Sequence, residues 1–247
     1  MNASCRLEAQ QAIGGNRFRA SAASYNAPPG QGREPMRALS HSRRTALGSH
    51  CALGWLEIDR MCQHLALFYA DDYPAEEVGD FFAAGLAAGD HCLALLTAPH
   101  RRAVAQCLEA RGLGAAHAAY AAVDTDEVLA QCLVDGRLDL QRASALLTPL
   151  MTVPARSGLR RVRAAGDLAP ALVAAGKIND AVAFEALVHR LTLAHDATVI
   201  CAYPIGAIWG RDNMRALLRL SAEHASVEFP EQLWIRALTQ APLHRVA

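Results

Sequence analysis

Short apolar runs of strand length alternate along this chain with longer segments of helical period, and this alternation limits the folds open to it. One such run is LALFY, residues 65–69, which ends in Asp71 and Asp72. It is followed by PAEEVGDFFAAGLAAGD, in which the apolar residues recur at helical spacing. Strands that alternate with helices predict an α/β fold with a mostly parallel sheet flanked by helices.

The same patterns predict where each element lies. Strands are expected at 65–69, 91–97, 118–123, 159–164, 197–203 and, at the sheet edge, 226–229. Helices are expected after Pro74, from Pro99 to Gly112, after an N-cap at Asp124 or Thr125, and at 140–153, 180–195 and 211–223. A turn is expected at Asp135-Gly136.

Residues 1–60 differ in composition from the rest of the chain. The segment is rich in arginine and in turn-forming residues, as in SYNAPPGQGREP, and no strand or helix period persists there. Too little apolar surface is present to offset the entropy of ordering, so we expect a disordered, basic N-terminal extension. An alternative is that translation starts at Met36 or Met61. Residues 61–229 are expected to form the folded domain, and 230–247 a tail with a short helix, EQLWIRAL.

Bulk charge and cysteine content exclude several classes of protein. The formal net charge is zero, which gives no attraction to nucleic acid or to an anionic membrane. The seven cysteines have no CxxC spacing, and an odd number of scattered thiols is typical of a reduced protein. No apolar stretch is long enough to span a membrane, and no signal peptide core is present. These features predict a cytoplasmic protein with no nucleic-acid or membrane partner.

The ends of the predicted strands carry acids and tyrosines. In open parallel sheets, ligands bind beyond the carboxyl ends of the strands. The residues expected there are Tyr69, Asp71, Asp72, Thr97, Asp124, Asp167 and Tyr203. The edge has no lysine and the chain has no GxxxxGK[ST] loop, so a triphosphate would meet uncompensated repulsion. The pattern predicts a small neutral or cationic ligand, although an aspartate after a strand also commonly caps the next helix.

Other chemical groups give weaker signals. Cys62 and His64 share one face of a strand, but two ligands are too few for a zinc site, so no metal is expected. Glu185 and His189 are four residues apart on one helix and could form an acid–base pair or a subunit contact. His224 follows the last helix, where its charge would favour the helix dipole. No GxSxG motif supports a serine hydrolase.

Several motifs in order resemble a known family. They begin with His64-x-x-x-Phe68-Tyr69 and continue through GLAAGD at 85–90, DGRLD at 135–139, Gly166-Asp167-Leu168, Phe184-Glu185, Cys201-x-Tyr203 and His224. This order resembles the MEDS domain, the methanogen/methylotroph DcmR-type sensory domain, over residues 61–229. The chain departs from the family at Asp167, where relatives usually have Glu, and at His189, where they often have Asn.

The resemblance implies a RecA/KaiC-like core without a working phosphate loop. It also implies a domain that senses small organic molecules, such as hydrocarbon derivatives, and passes the signal to a regulator or kinase. The leading hypothesis is therefore a non-catalytic sensory domain of bacterial signal transduction or transcriptional regulation that acts through a separate effector. It needs no cofactor, and its expected ligand-binding residues are His64, Tyr69, Asp71, Asp167, Glu185 and Tyr203.

Two other functions remain open from the sequence. The first is a degenerate nucleotide-binding protein or metal-assisted hydrolase on the same scaffold, with a divalent ion held by Asp71, Asp72 and Asp167. The second is a scaffold without a ligand, in which the helix around Glu185 forms a homo-oligomer contact.

Overall fold

A computed structural model describes residues 64–114, 117–152, 158–208 and 214–229. The described strands and helices alternate as the sequence predicts. The strands are β1 His64–Tyr69, β2 His91–Leu96, β3 Tyr120–Asp124, β4 Leu133–Val134, β5 Arg137–Leu138, β6 Val162–Gly166, β7 Thr198–Pro204 and β8 Ser226–Glu228. The helices are α1 Ala75–Ala88, α2 Ala98–Ala110, α3 Thr125–Cys132, α4 Leu140–Leu150, α5 Leu168–Ala174, α6 Ile178–His195 and α7 Met214–Ala222, with a 3-10 turn at Ile205–Ala207.

Six of these strands form one parallel sheet in the order β3-β2-β6-β7-β1-β8. β1 therefore lies between the two last strands of the described chain. Its register aligns Ala66 with Cys201 and Phe68 with Tyr203. The remaining two strands, β4 and β5, form a small antiparallel hairpin around the predicted turn. The predicted α/β fold, a mostly parallel sheet flanked by helices, is confirmed.

Helices cover both faces of the sheet and create two apolar layers. On one face, α1 and α2 pack through residues such as Phe81, Phe82 and Leu108. On the other face, α3 to α7 pack a larger layer that includes Leu147, Phe184 and Leu220, among others. Burial on both faces explains why β1, β2 and β7 read as continuous apolar runs instead of alternating ones.

Local capping fixes several helix starts. The Asp124 carboxylate accepts hydrogen bonds from the backbone N–H groups of Asp126 and Glu127, which confirms the predicted cap of α3. Asp139 caps α4 in the same way. Gly89 ends α1 in the left-handed conformation at φ 81°, which a residue without a Cβ adopts at little cost.

Some predicted boundaries are wrong. β6 spans 162–166, whereas the sequence placed a strand at 159–164, because the alternation of LRRVRA starts before the ladder with β2 begins at Val162. β3 spans 120–124 in place of 118–123, and α6 begins at Ile178, two residues before the predicted start. Helix α5 was not predicted. The N-terminal extension 1–60 and the tail 230–247 lie outside the described residues.

Across the described part of the chain, no helix combines the length and the apolarity needed to cross a bilayer.

Candidate functional site

Two groups of polar side chains lie against the sheet, and all the sequence-predicted ligand-binding residues except Asp71 are divided between them. We call Tyr69, Tyr73, Thr97, His100 and Asp167 the edge cluster. We call His64, Glu185, Cys201, Tyr203 and His224 the buried cluster. The ligand site was expected at the carboxyl edge of the sheet, with Glu185 from a helix and His64 as a further polar contact. The buried cluster lies instead under one face of the sheet, because His64 is the first residue of β1 and Glu185 is in the middle of α6.

The edge cluster occupies a topological switch point of the sheet. β2 and β6 are neighbours, yet the helix after β2 packs on one face and the helices after β6 pack on the other. The connections after the two strands therefore leave toward opposite faces of the sheet, and open parallel sheets bind ligands at such a point. Thr97 follows β2 and Asp167 follows β6, so the two residues face each other across this point.

Asp167 is held at this position by three donors to one oxygen. Its Oδ2 accepts hydrogen bonds from the Thr97 N–H at 2.8 Å, the Thr97 hydroxyl at 3.0 Å and His100 Nδ1 at 2.7 Å. The residue is 2% exposed, and its other oxygen, Oδ1, is buried without a hydrogen-bond partner. Half of this carboxylate is thus fixed, while the other half keeps its capacity to accept a hydrogen bond.

Aromatic rings surround this carboxylate. The Tyr73 ring stacks on the His100 ring with centroids 3.7 Å apart, and Tyr69 meets Tyr73 edge-on at 5.9 Å. Burial, with a smaller contribution from the Asp167 charge, raises the pKa of Tyr69 to about 12 and raises that of Tyr73 well above its usual value. Both phenols therefore stay protonated, and the Tyr73 hydroxyl is itself buried without a hydrogen-bond partner.

Asp71 and Asp72 lie exposed in the loop after β1 and take no part in the contacts that hold Asp167. Among the described residues, a single group of three or more His, Cys, Asp or Glu side chains brings its ligand atoms close together, and neither aspartate belongs to it. That group is part of the buried cluster.

Four elements contribute to the buried cluster. His64 comes from β1, Glu185 from α6, Cys201 and Tyr203 from β7, and His224 from the turn between α7 and β8. Cys201 and Tyr203 are two residues apart in a strand, so both point toward α6. None of the five residues is more than 9% exposed, and the side chains of His64, Glu185 and His224 are fully buried.

The Glu185 carboxylate is the centre of the buried cluster. Its Oε2 lies 3.1 Å from His64 Nε2, 3.4 Å from Cys201 Sγ and 3.6 Å from His224 Nε2. Its Oε1 accepts a hydrogen bond from the Tyr203 hydroxyl. Cys201 Sγ is also 3.7 Å from His64 Nε2. One carboxylate oxygen therefore faces two imidazoles and a thiol in a space closed to solvent.

Backbone carbonyls fix both imidazoles. His64 Nδ1 donates to the Glu223 carbonyl at 3.1 Å, and His224 Nδ1 donates to the Leu220 carbonyl at 2.8 Å. A carbonyl can only accept, so both Nδ1 atoms carry the proton. A neutral imidazole in this tautomer presents an Nε2 lone pair, and in both residues that atom is directed at Glu185. His224 Nε2 has no hydrogen-bond partner there.

The pKa of Glu185 reflects opposing influences. Burial raises it, but the charge available on His224, the hydrogen bond and charge of His64, and the Tyr203 hydroxyl lower it to about 2. Burial also lowers the pKa of His224, which favours the neutral imidazole. A neutral His224 removes one of the cations that would balance Glu185. The carboxylate is then held by His64, Tyr203 and Cys201.

A small apolar cavity adjoins the buried cluster. It measures about 30 Å³ and lies between the sheet and the helices of the larger layer, with Cys201 in its wall beside Phe184, Leu168 and Gly166. Because one water molecule needs about 10–15 Å³, the cavity has room for about two waters. It is a gap in the packing, too small in this conformation for an organic ligand.

The fold and the site together define an α/β domain with a six-stranded parallel sheet, in which an aspartate and aromatic rings lie at the switch point between β2 and β6. Residues 63–220 match the family model described as MEDS, the MEthanogen/methylotroph, DcmR Sensory domain. The match covers more than half of the chain, so the chain belongs to this family of sensory domains, and the predicted resemblance is confirmed. Neither a curated protein nor a solved structure gives a significant match.

Sequence reasoning missed some members of each cluster. Tyr73 and His100 were missed because they lie beyond the strand ends, Tyr73 in the loop before α1 and His100 in the first turn of α2. Cys201 and His224 appeared in the sequence only as members of the family motifs, and His224 also as a charge at a helix end. Neither was expected to contact Glu185. His189, which could have paired with Glu185 or formed a subunit contact, stacks on His64 with centroids 5.9 Å apart.

Proposed function

We propose that this chain is a non-catalytic sensory domain that binds a small neutral or cationic organic molecule at the edge cluster and acts through a separate effector protein. Family membership supports the sensory role. The observation that carries the choice of site is the Asp167 carboxylate, which is buried at the switch point with one oxygen fixed and the other unpartnered. His64, Glu185 and Tyr203, expected at this edge from the sequence, are assigned to a separate role below.

The chemistry of the edge cluster selects the class of ligand. A buried acceptor such as Asp167 Oδ1 gains a hydrogen bond from an N–H or O–H donor and repels an anion. The faces of Tyr69 and Tyr73 favour apolar or cationic groups. A small amine, an alkylammonium ion or an alcohol satisfies both requirements. Asp71, exposed in the adjacent loop, remains a predicted contact for such a ligand.

The arrangement of Thr97 supports binding without catalysis. In the usual hydrolase arrangement, a serine or cysteine nucleophile is activated by donating its proton to an imidazole, which a third group orients. The Thr97 hydroxyl donates to the same oxygen of Asp167 that His100 Nδ1 contacts. The hydroxyl and the imidazole are thus parallel donors to one carboxylate, and the hydroxyl is not aligned with His100 as its base.

The position of Asp167 suggests how a ligand signal leaves the site. Thr97 is the N-cap residue of α2, and Asp167 is the N-cap residue of α5. The two helices pack on opposite faces of the sheet. A ligand that draws Asp167 away from Thr97 would change the start of both helices at once, and a regulator or kinase that contacts either helix would sense the change.

Thermal unfolding of the full chain tests this function. The probes are methylammonium, tetramethylammonium and methanol, with acetate as the anionic control. A probe at about 100 times its Kd adds about 2.7 kcal/mol of stability. That raises the Tm by about 5–10 °C for a domain of this size. We expect a cationic or neutral probe to raise the Tm of the wild type and acetate to leave it unchanged.

Two variants locate the effect. Asp167→Asn removes the charge and should abolish the shift, whereas Asp72→Asn, at an exposed position of the same edge, should retain it. A Tm rise that requires Mg-ATP and is lost in Asp72→Asn would contradict the sensor and support the enzyme that the sequence left open.

A further inference from the structure

The buried cluster has a feature that ligand sensing at the edge does not explain. Four potential metal ligands, His64 Nε2, Glu185 Oε2, Cys201 Sγ and His224 Nε2, all lie within 4.8 Å of one another and are all buried. They come from four separate elements of the chain. A random apolar core does not gather two imidazoles, a thiol and a carboxylate at one point, because each polar group costs free energy to bury without a partner.

The spacing of these atoms fits a tetrahedral ion. Zinc binds oxygen and nitrogen at about 2.0–2.2 Å and sulfur at about 2.3 Å, which separates the ligands around one ion by about 3.3–3.8 Å. The recorded separations are 3.1 Å for His64 to Glu185, 3.4 Å for Cys201 to Glu185, 3.6 Å for His224 to Glu185 and 3.7 Å for Cys201 to His64. These four separations differ from tetrahedral values by a few tenths of an ångström at most, and the two remaining pairs, His224 with His64 and with Cys201, lie within 4.8 Å.

Hydrogen bonds around the cluster hold the ligands in the required form. Metal-binding histidines donate their second ring N–H to a carbonyl or carboxylate, which fixes the tautomer and the ring orientation. Both His64 and His224 do so, to the carbonyls of Glu223 and Leu220. Tyr203 donates to Oε1 of Glu185 and so directs Oε2 inward.

Charge balance points the same way. The Nε2 atom of His224 is buried without a hydrogen-bond partner, 3.6 Å from Glu185 Oε2. A divalent cation gives this atom a partner, and both imidazoles then bind the ion through Nε2 as neutral ligands. The Cys201 thiol releases its proton to solvent on binding, and the +2 charge of the ion is balanced by one carboxylate and one thiolate.

We propose that His64, Glu185, Cys201 and His224 form a closed, four-coordinate Zn²⁺ site that ties α6 and the turn before β8 to strands β1 and β7. Four protein ligands leave no position open for substrate, so the role of the ion is structural. This inference departs from the sequence-based expectation of no metal, and it does not depend on ligand binding at the edge cluster. Residue His224 lies just beyond the family match, which ends at 220.

The first experiment measures zinc stoichiometry in matched cysteine variants. Bound metal is removed from the full chain with a chelator. The protein is then incubated with Zn²⁺ and desalted, and its zinc content is measured by elemental mass spectrometry. Other histidines and cysteines of the chain could bind zinc, so the contrast between variants is decisive. We expect one tightly bound equivalent in the wild type and in Cys132→Ser, and its loss in Cys201→Ser. Cys132 is the matched control because it is equally buried in the same apolar layer.

Cobalt gives a spectroscopic signature of the proposed ligands. Co²⁺ bound to a thiolate in a tetrahedral site absorbs in the near ultraviolet by charge transfer and in the visible by ligand-field transitions. The wild type and Cys132→Ser should show both bands. Cys201→Ser should lose the charge-transfer band, and His224→Gln should lose or alter the visible bands. The second variant keeps the test decisive if the first fails to fold, which circular dichroism would show.

Tyr203→Phe tests the supporting hydrogen bond. Loss of a partner that orients a ligand typically lowers metal affinity about 10–100-fold. We expect that decrease in competition with a chromogenic chelator, with the stoichiometry unchanged. The proposal is overturned if the wild type binds no stoichiometric zinc, or if binding survives intact in both Cys201→Ser and His224→Gln.

Discussion

At the scale of single residues, Arg163 is a fully buried charge that is held by an ion pair. It lies in β6, and its Nε donates to Asp90 Oδ2 at 2.7 Å. Both side chains are fully buried, and the guanidinium carbon lies 5.2 Å from the centre of the Phe81 ring. An ion pair in this position is retained only because removal of either partner leaves the other charged and desolvated.

Replacement of Arg163 by methionine should therefore strongly destabilise the folded protein. We expect Arg163→Met to lower the free energy of unfolding by about 3–5 kcal/mol, since the buried Asp90 Oδ2 would lose its hydrogen-bonded partner and keep only the longer, 3.7 Å ion pair with Arg161. Urea unfolding followed by circular dichroism measures the change. The control is Arg142→Met, which removes the exposed partner of Asp139 and should cost about 0–1 kcal/mol. Equal losses in the two variants would contradict this account of Arg163.

The sequence indicated Arg163 only as part of an alternating strand. Its partner Asp90 precedes β2 and is remote in the chain, and no local pattern links the two. The same limit applies to the buried cluster, in which His64 and His224 come from opposite ends of the described chain yet have ring centroids 4.1 Å apart. Residue identity and periodicity predict which face is buried, but not which distant side chain meets it.

At the scale of elements, α1 approaches β6 unusually closely. A Cβ placed on Gly85 would lie 2.4 Å from Cδ of Arg163 and 2.9 Å from Sγ of Cys92. Glycine inside a helix normally costs about 1 kcal/mol relative to alanine. Here it is retained because the helix could not otherwise reach the sheet above the buried arginine.

Gly85→Ala should thus destabilise the protein although alanine is the better helix former. We expect a loss of about 1–3 kcal/mol from overpacking, measured by urea unfolding. Gly85→Ala combined with Arg163→Met should cost less than the sum of the two single changes, because the crowding partner is shortened. Stabilisation by Gly85→Ala alone would show that α1 can move away without cost.

The helices with a clear hydrophobic periodicity were the ones whose positions could be predicted from the sequence. Helices α1, α2 and α4 have apolar residues at helical spacing and were located to within a few residues. Helix α5, Leu168–Ala174, was missed because it is short, has Pro170 inside it and is apolar on nearly every side. A helix without a polar face shows no period, and only its packing against α6 and β7 defines it.

At the scale of the whole molecule, His91 links stability to pH. Burial lowers the pKa of His91 below its usual 6.5, with a small opposite effect from a backbone hydrogen bond to Ala119. The folded state therefore binds its proton less readily than the unfolded chain. The contribution of His91 to stability is complete above about pH 6.5 and is lost as the pH falls through the folded-state pKa.

The His91→Gln variant isolates this effect. We expect the wild type to lose more unfolding free energy than the variant between about pH 7.5 and about pH 5.5, because glutamine does not titrate. Urea midpoints at several pH values in that range measure the difference. Identical pH profiles for the two proteins would mean that His91 has the same pKa folded and unfolded.

The candidate site was half predictable at this scale. The edge cluster follows from a general property of parallel sheets, since strand ends can be read from the sequence and ligands bind beyond them. Thr97 and Asp167 were found in this way. The switch point itself depends on the strand order, which places β6 beside β2, and no local signal gives that order. Only the three-dimensional structure separates the edge cluster from the buried one.

The position of β1 has a consequence for how the chain acquires its fold during synthesis. β1 is the first described strand to leave the ribosome, yet its two sheet neighbours begin at Thr198 and Ser226. β2, β3 and β6 can pair earlier, whereas the apolar run of β1 stays without a partner until nearly the whole domain has emerged. Such long-range parallel pairing is slow, so partly folded intermediates with exposed apolar surface, which are prone to aggregate, persist for longer. A truncated chain that ends before Thr198 has no partner for the hydrophobic strand β1. Such a chain is expected to bind chaperones and not to form a functional fragment.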